Sequence, residues 1–193
     1  EEFNTGVAVG AWSTGGDLNT ARKYMAGAGT QTAALGFGGA SPVPSLAATE
    51  TWNGTNWTEV NDLNTARQSL AGTGTNTAAL AFGGNTGPGA VTETWNGTNW
   101  TEVGDLNTAR SYLAGAGTQT AALAFGGSPA LAITETWNGS SWTEVNDLNT
   151  GRRSVGGAGI NTAALAFGGN GTPPTLAATE EFTDPGTIIK TIT

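Results

Sequence analysis

Short β-compatible runs of about four to six residues, each closed by a polar or Gly-rich break, follow one another along this chain. Residues 62–103 show the pattern. Ser69 to Gly74 is small and β-compatible, and Thr75-Asn76 supplies a turn. Residues 77–82 form an apolar run that Gly83-Gly84 stops. After a variable stretch, residues 92–95 meet Asn96-Gly97, the strongest short hairpin signal. Both turn positions need positive φ, which Asn and Gly tolerate best. Residues 98–103 return as the second arm. The unit is predicted to be four short antiparallel strands, termed a, b, c and d. A two-residue turn sets Trp95 opposite Thr98 and Glu93 opposite Trp100. Trp95 and Trp100 then share a face as diagonal neighbours.

The same pattern recurs along the whole chain. Asp-Leu-Asn-Thr begins at Asp17, Asp62, Asp105 and Asp147, and Phe-Gly-Gly at Phe37, Phe82, Phe125 and Phe167. Both series advance in steps of 45, 43 and 42 residues. The chain divides into a partial unit 1–16 and units 17–61, 62–104, 105–146 and 147–193. Two indoles on one face need a neighbouring surface to cover them, and in an array that surface is the next sheet. This applies to Trp52 with Trp57, Trp95 with Trp100 and Trp137 with Trp142, which are therefore structural. Four-stranded sheets at this period predict a β-propeller, all-β and a single domain. The Gly residues of strand a relieve crowding near the central axis.

Composition narrows the chemistry. The chain has 193 residues, no Cys, no His and a net charge of −8. A disulfide framework and a Cys/His zinc site are excluded, as are a His base and a Cys nucleophile. With seven basic residues, nucleic-acid binding is not expected. No apolar run approaches the roughly 18 residues of a membrane span, so membrane insertion is not expected either. Asp-X-Asn in each d–a loop offers two oxygens, short of a Ca²⁺ site. No metal and no cofactor are expected. The sequons at Asn53, Asn56, Asn96, Asn99, Asn138 and Asn170 are read as turns. The start Glu1-Glu2-Phe3 is neither a signal peptide nor an initiator Met. It is expected to mark a processed chain or a piece of a longer one.

At this point the residues resemble the kelch repeat. That family has an Arg opening strand a, a Gly-Gly doublet ending strand b, an aromatic in strand c and a Trp in strand d. Arg67, Gly83-Gly84, Trp95 and Trp100 hold those places, and the match covers essentially the whole chain. Leu70, Leu113 and Val155 stand where the family has His. The Thr/Gly/Asn-rich wording is also loosely similar to near-identical arrays in tailed bacteriophages.

Four a–b pairs accompany five c–d hairpins, since hairpins are expected at residues 2–13 and 179–193. Three readings follow. Five blades form, one of them incomplete; four form, with a strand around Trp12 competing with residues 187–193 for the outer edge; or the chain belongs to a longer array. The five-blade reading leads. An unpaired inner edge invites pairing with another chain, so a homo-oligomer is a further possibility.

Alternating strands place the b–c and d–a loops on one face. The b–c loops, residues 40–48, 85–91, 128–133 and 170–178, vary and hold six of the seven Pro. Six of the seven cations lie at the d–a side. Each repeat Arg follows an Asp by five residues, which predicts a structural Asp–Arg pair at Asp17, Asp62, Asp105 and Asp147. The resemblance implies an alternative: Arg22, Arg67, Arg110 and Arg152, with Asn64 and Asn107, form a ligand-binding ring for an acidic group. The expected function is non-enzymatic. One reading is a binding module outside a cell or on a virion, as in a tail fibre or adhesin, meeting a protein or glycan on a surface. The alternatives are a purely structural subunit of a virion or filament and, weaker, a polysaccharide hydrolase.

Overall fold

The computed structural model describes residues 10–42, 44–85, 89–171, 175–184 and 186. They form fifteen β-strands in four antiparallel sheets and no helix. Blade 1 is β1 (Ala26–Thr30), β2 (Ala33–Phe37), β3 (Thr49–Trp52) and β4 (Trp57–Val60). Blade 2 is β5 (Ala71–Gly74), β6 (Ala79–Phe82), β7 (Thr92–Trp95) and β8 (Trp100–Glu102). Blade 3 is β9 (Ala114–Gly117), β10 (Ala122–Phe125), β11 (Thr134–Trp137) and β12 (Trp142–Glu144). Blade 4 is β13 (Gly156–Ile160), β14 (Ala163–Phe167) and β15 (Thr179–Thr183). In each sheet the strands lie in chain order.

The first strands of neighbouring blades pack together, β1 on β5, β5 on β9 and β9 on β13. This is a propeller arrangement of four blades, in place of the leading five-blade expectation. Residues 10–16 lie in no strand. The rest of the first expected hairpin, and the return arm at 187–193, fall outside the described residues.

Each of the three described junctions between blades is an apolar seam. In the first, Leu35 and Phe37 of blade 1 meet Ala79, Ala81, Trp95 and Trp100 of blade 2. Phe37 stands edge-on to Trp100 at 4.9 Å, a favourable ring geometry. The second seam repeats it with Phe82 and Trp142 at 5.0 Å. The third holds Leu123, Phe125, Val155, Ala164 and Ala166.

The c–d hairpin departs from the expected register. Trp95 lies directly opposite Trp100, and Glu93 opposite Glu102. The loop is therefore four residues, Asn96 to Asn99. Its cause is the Asn96 side chain, whose Oδ1 accepts from the Thr98 and Asn99 amides at 2.9 and 2.8 Å. This Asx turn widens the bend that a two-residue turn would close. The indoles still share a face, now as a direct cross-strand pair at 5.3 Å. Strand a starts at Ala71 and not at Ser69, because Ser69 takes φ 55°.

Candidate functional site

The expected face is real. The b–c loop of each blade is stitched by backbone bonds to the d–a segment entering the next. Leu63 and Arg67 donate to Ala47 and Leu46, and Leu106 and Arg110 donate to Ala90 and Gly89. Leu148 and Arg152 donate in turn to Ala132 and Leu131. Constant and variable loops thus form one continuous edge.

The Gly-Gly doublet makes this edge possible. Gly83 and Gly84 take φ 70° and 120°. A Cβ on Gly83 would lie 2.7 Å from the Arg110 carbonyl. Only glycine permits so close a turn against the next blade.

The arginines lie beneath this edge and not on it. Arg67, Arg110 and Arg152 are buried, and the Arg22 side chain has no exposed surface. Their carboxylate partner is a strand-c glutamate and not the expected aspartate. Arg22 pairs with Glu50 at 3.1 Å and Arg67 with Glu93 at 3.1 Å. Arg110 pairs with Glu135, and Arg152 with Glu180. Arg67 also donates to the Gly83 and Ala81 carbonyls at 3.0 and 3.3 Å and to the Val91 carbonyl. A planar fork suits this multidentate task. Burial pushes the Arg67 guanidinium below its ordinary value, against the pull of Glu93. Arg22 is lowered in the same way, with Glu50 opposing.

The asparagines serve the same node. Asn64 donates its amide to Glu93 at 2.7 Å, and its Nδ2 to Glu93 at 2.8 Å and the Trp100 carbonyl at 3.1 Å. Asn107 repeats this on Glu135 and Trp142. Each strand-c glutamate therefore neutralises an arginine and ties down the d–a loop.

The aspartates act between blades. Asp62 accepts from the Thr49 amide of the preceding blade, Asp105 from Thr92 and Asp147 from Thr134, each at 3.1 Å. Among the described residues Asp17 has no such partner. The indoles join them. Trp100 donates to Thr49 Oγ1 and Trp142 to Thr92 Oγ1, both at 3.0 Å. Trp95 and Trp137 are 1% exposed, whereas Trp52 and Trp57 are partly open.

The strand-c glutamates are what sequence reasoning missed as ion-pair partners. Their signal was present, since every unit with an Arg also has a Glu in the second position of strand c. Among the described residues, Pro42, Pro44, Asn85, Pro129 and Asn170 of the variable loops are exposed on the edge, with Asn64, Asn107, Lys23 and Arg153 exposed beside them. No group of His, Cys, Asp and Glu among the described residues could hold a metal ion. No protein-family model matches the chain, and no curated protein aligns with it.

Proposed function

We propose that this chain is a kelch-like, non-enzymatic module that presents its variable b–c loops to a protein or glycan on a surface, outside a cell or on a virion. One observation carries the reading. The blades share a near-constant frame, and their differences gather in b–c loops whose described ends are hydrogen-bonded to the d–a segments along one edge. Loops on a rigid scaffold are the usual place for recognition. The repeat's charged side chains are spent below that edge. Glu93 and Glu135 are neutralised by arginines, so neither is placed as a free acid for glycoside hydrolysis.

A glycan array and a panel of purified surface proteins, probed with the 193-residue chain, test this. The expected result is a hit that disappears when residues 85–90 and 128–132 are replaced by Gly-Ser of equal length. A hit that survives those replacements, or no hit in either panel, overturns it. The second reading, a structural subunit, is favoured by one specific observation. The two ends of the array carry unmatched halves of the seam that joins its blades.

A further inference from the structure

The internal seams follow one rule. In blades 1 and 2 the first residue of strand c is held from the next blade by an aspartate and an indole. Thr49 receives Asp62 and Trp100, and Thr92 receives Asp105 and Trp142. A Phe at the end of strand b covers a Gly in the next strand a. Phe37 lies on Gly72, where a Cβ would come within 2.5 Å of its ring, and Phe82 lies likewise on Gly115. A backbone relay runs along the inner strands. Ser69 donates to Tyr24, Tyr112 to Ser69 and Ser154 to Tyr112, each at 2.8 Å.

Every part of this rule is left half-made at the two ends. At the tail, Phe167 is 43% exposed, whereas Phe37 and Phe82 are 0% exposed. Thr179, the first residue of β15, receives neither aspartate nor indole among the described residues. At the head, among the described residues, a Cβ on Gly27 would meet only the Leu35 carbonyl of its own sheet, and no described Phe covers it. Asp17 and the Trp57 indole have no acceptor or donor opposite them among the described residues. The relay stops at the Ser154 carbonyl and the Tyr24 amide. The innermost strands of blades 1 and 4 show no packing comparable to the other three pairs.

One further mismatch points the same way. At the third seam Thr134 receives Asp147 but no indole among the described residues. A cavity there is lined by Phe125, Thr134, Ala164, Ala166 and Phe182. The first two are the counterparts of the residues that hold Trp100 and Trp142. Trp12 is fully exposed and stands five residues before Asp17, as Trp57, Trp100 and Trp142 stand before Asp62, Asp105 and Asp147. Its segment enters blade 1 as the other crossovers enter their blades. Gly16 approaches the Thr55 carbonyl and Asn56 of blade 1 as Gly104 approaches the Ser140 carbonyl and Ser141 of blade 3.

We infer that the occupant of both ends is a second copy of this chain, joined head to tail. Blade 4 of one copy docks on blade 1 of the next. Phe167 sits on the partner subunit's Gly27, and Thr179 receives the partner subunit's Asp17 and the partner subunit's Trp57. The same movement carries the partner subunit's Trp12 into the cavity at Phe125 and Thr134, because strand d of any blade leads directly into strand a of the next. The contact continues an interface the chain builds three times within itself. It is heterologous, so copies propagate or close into a larger ring. It does not depend on what the b–c loops bind.

The test uses two blocked variants of the 193-residue chain, Phe167→Glu at the tail and Gly27→Glu at the head. Both positions face solvent, and circular dichroism with a thermal melt checks that each folds. Sedimentation velocity is run across a hundredfold range of concentration. The wild type is expected to grow beyond one chain, and each variant to stay monomeric. An equimolar mixture of the two variants should stop at a dimer, since the one competent head and the one competent tail meet and only blocked ends remain. Trp57→Ser is the second head variant and should behave like Gly27→Glu. A wild type that stays monomeric throughout overturns the inference and means that each chain closes on itself. Growth that survives Phe167→Glu, or a mixture that stays monomeric, overturns it as well.

Discussion

Arg67 spends one buried charge on one carboxylate and three carbonyls, and Glu93 spends its own on that arginine and on Asn64. Removing either partner strands the other. Glu93→Ala is expected to lower unfolding free energy by about 3–5 kcal/mol, as is typical of a broken buried pair. Asp105→Asn should cost under about 1 kcal/mol, since its side-chain oxygen can still accept from the Thr92 amide. Urea denaturation separates the two, and equal losses would restore the aspartate as the arginine's partner. The error in the expected pairing has a plain cause. The Asp lies five residues from its Arg in the chain and the Glu twenty-six, but the a-b-c order of the sheet brings strand c back under the loop. Residue types and repeat positions were legible, whereas the contact was a property of strand order. The burial of the arginines has a related reason. A cation counted on a loop can still bury its guanidinium among the carbonyls below.

At the scale of the strand, the sequence marked every sheet. The Gly-Gly stops, the Asn-Gly bends and the Trp pairs all fall where the strands end or turn. It misjudged the hairpin by two residues, because Asn96 bonds forward with its side chain where the turn rule considers only backbone angles. Asn96→Ala is therefore expected to cost about 1–2 kcal/mol although the position is exposed, since two amides lose their acceptor. The glycines of strand a allow a sharper contrast. Gly72→Ala drives a methyl into the Phe37 ring and should destabilise the fold by about 1–3 kcal/mol. Gly27→Ala stands at the equivalent place with no ring above it among the described residues, and should leave the melting temperature of the dilute chain nearly unchanged. Paired thermal melts at micromolar concentration check this. Equal losses at both sites would mean that the first blade's face is already covered.

At the scale of the molecule, the repeat was legible and the blade number was not. Five hairpins can be counted in the text, but only blades with an a–b pair build a sheet around the axis. An array whose blades touch only their neighbours gains stability roughly junction by junction. Blades 2 and 3 are covered on both faces and blades 1 and 4 on one. Hydrogen exchange should therefore be slowest in β6 and β10 and fastest in β14 and β15, with β2 between them. The most decisive change is to add a blade. Residues 62–104 form one unit whose end matches the start of unit 105–146, so a second copy can be inserted after residue 104 in register. In an open array the insertion adds one seam and disturbs none. The urea m-value should then rise by roughly a quarter, in step with the surface exposed on unfolding, and the midpoint should hold or rise. In a ring already closed at four blades, the extra blade has no place on the circle. It must break a seam or be extruded, so the midpoint falls and the m-value does not grow. Urea denaturation of the extended chain beside the original decides between these outcomes. A lowered midpoint would show that the two open ends meet in solution, and would locate the closure at Phe167 and Gly27 of a single chain.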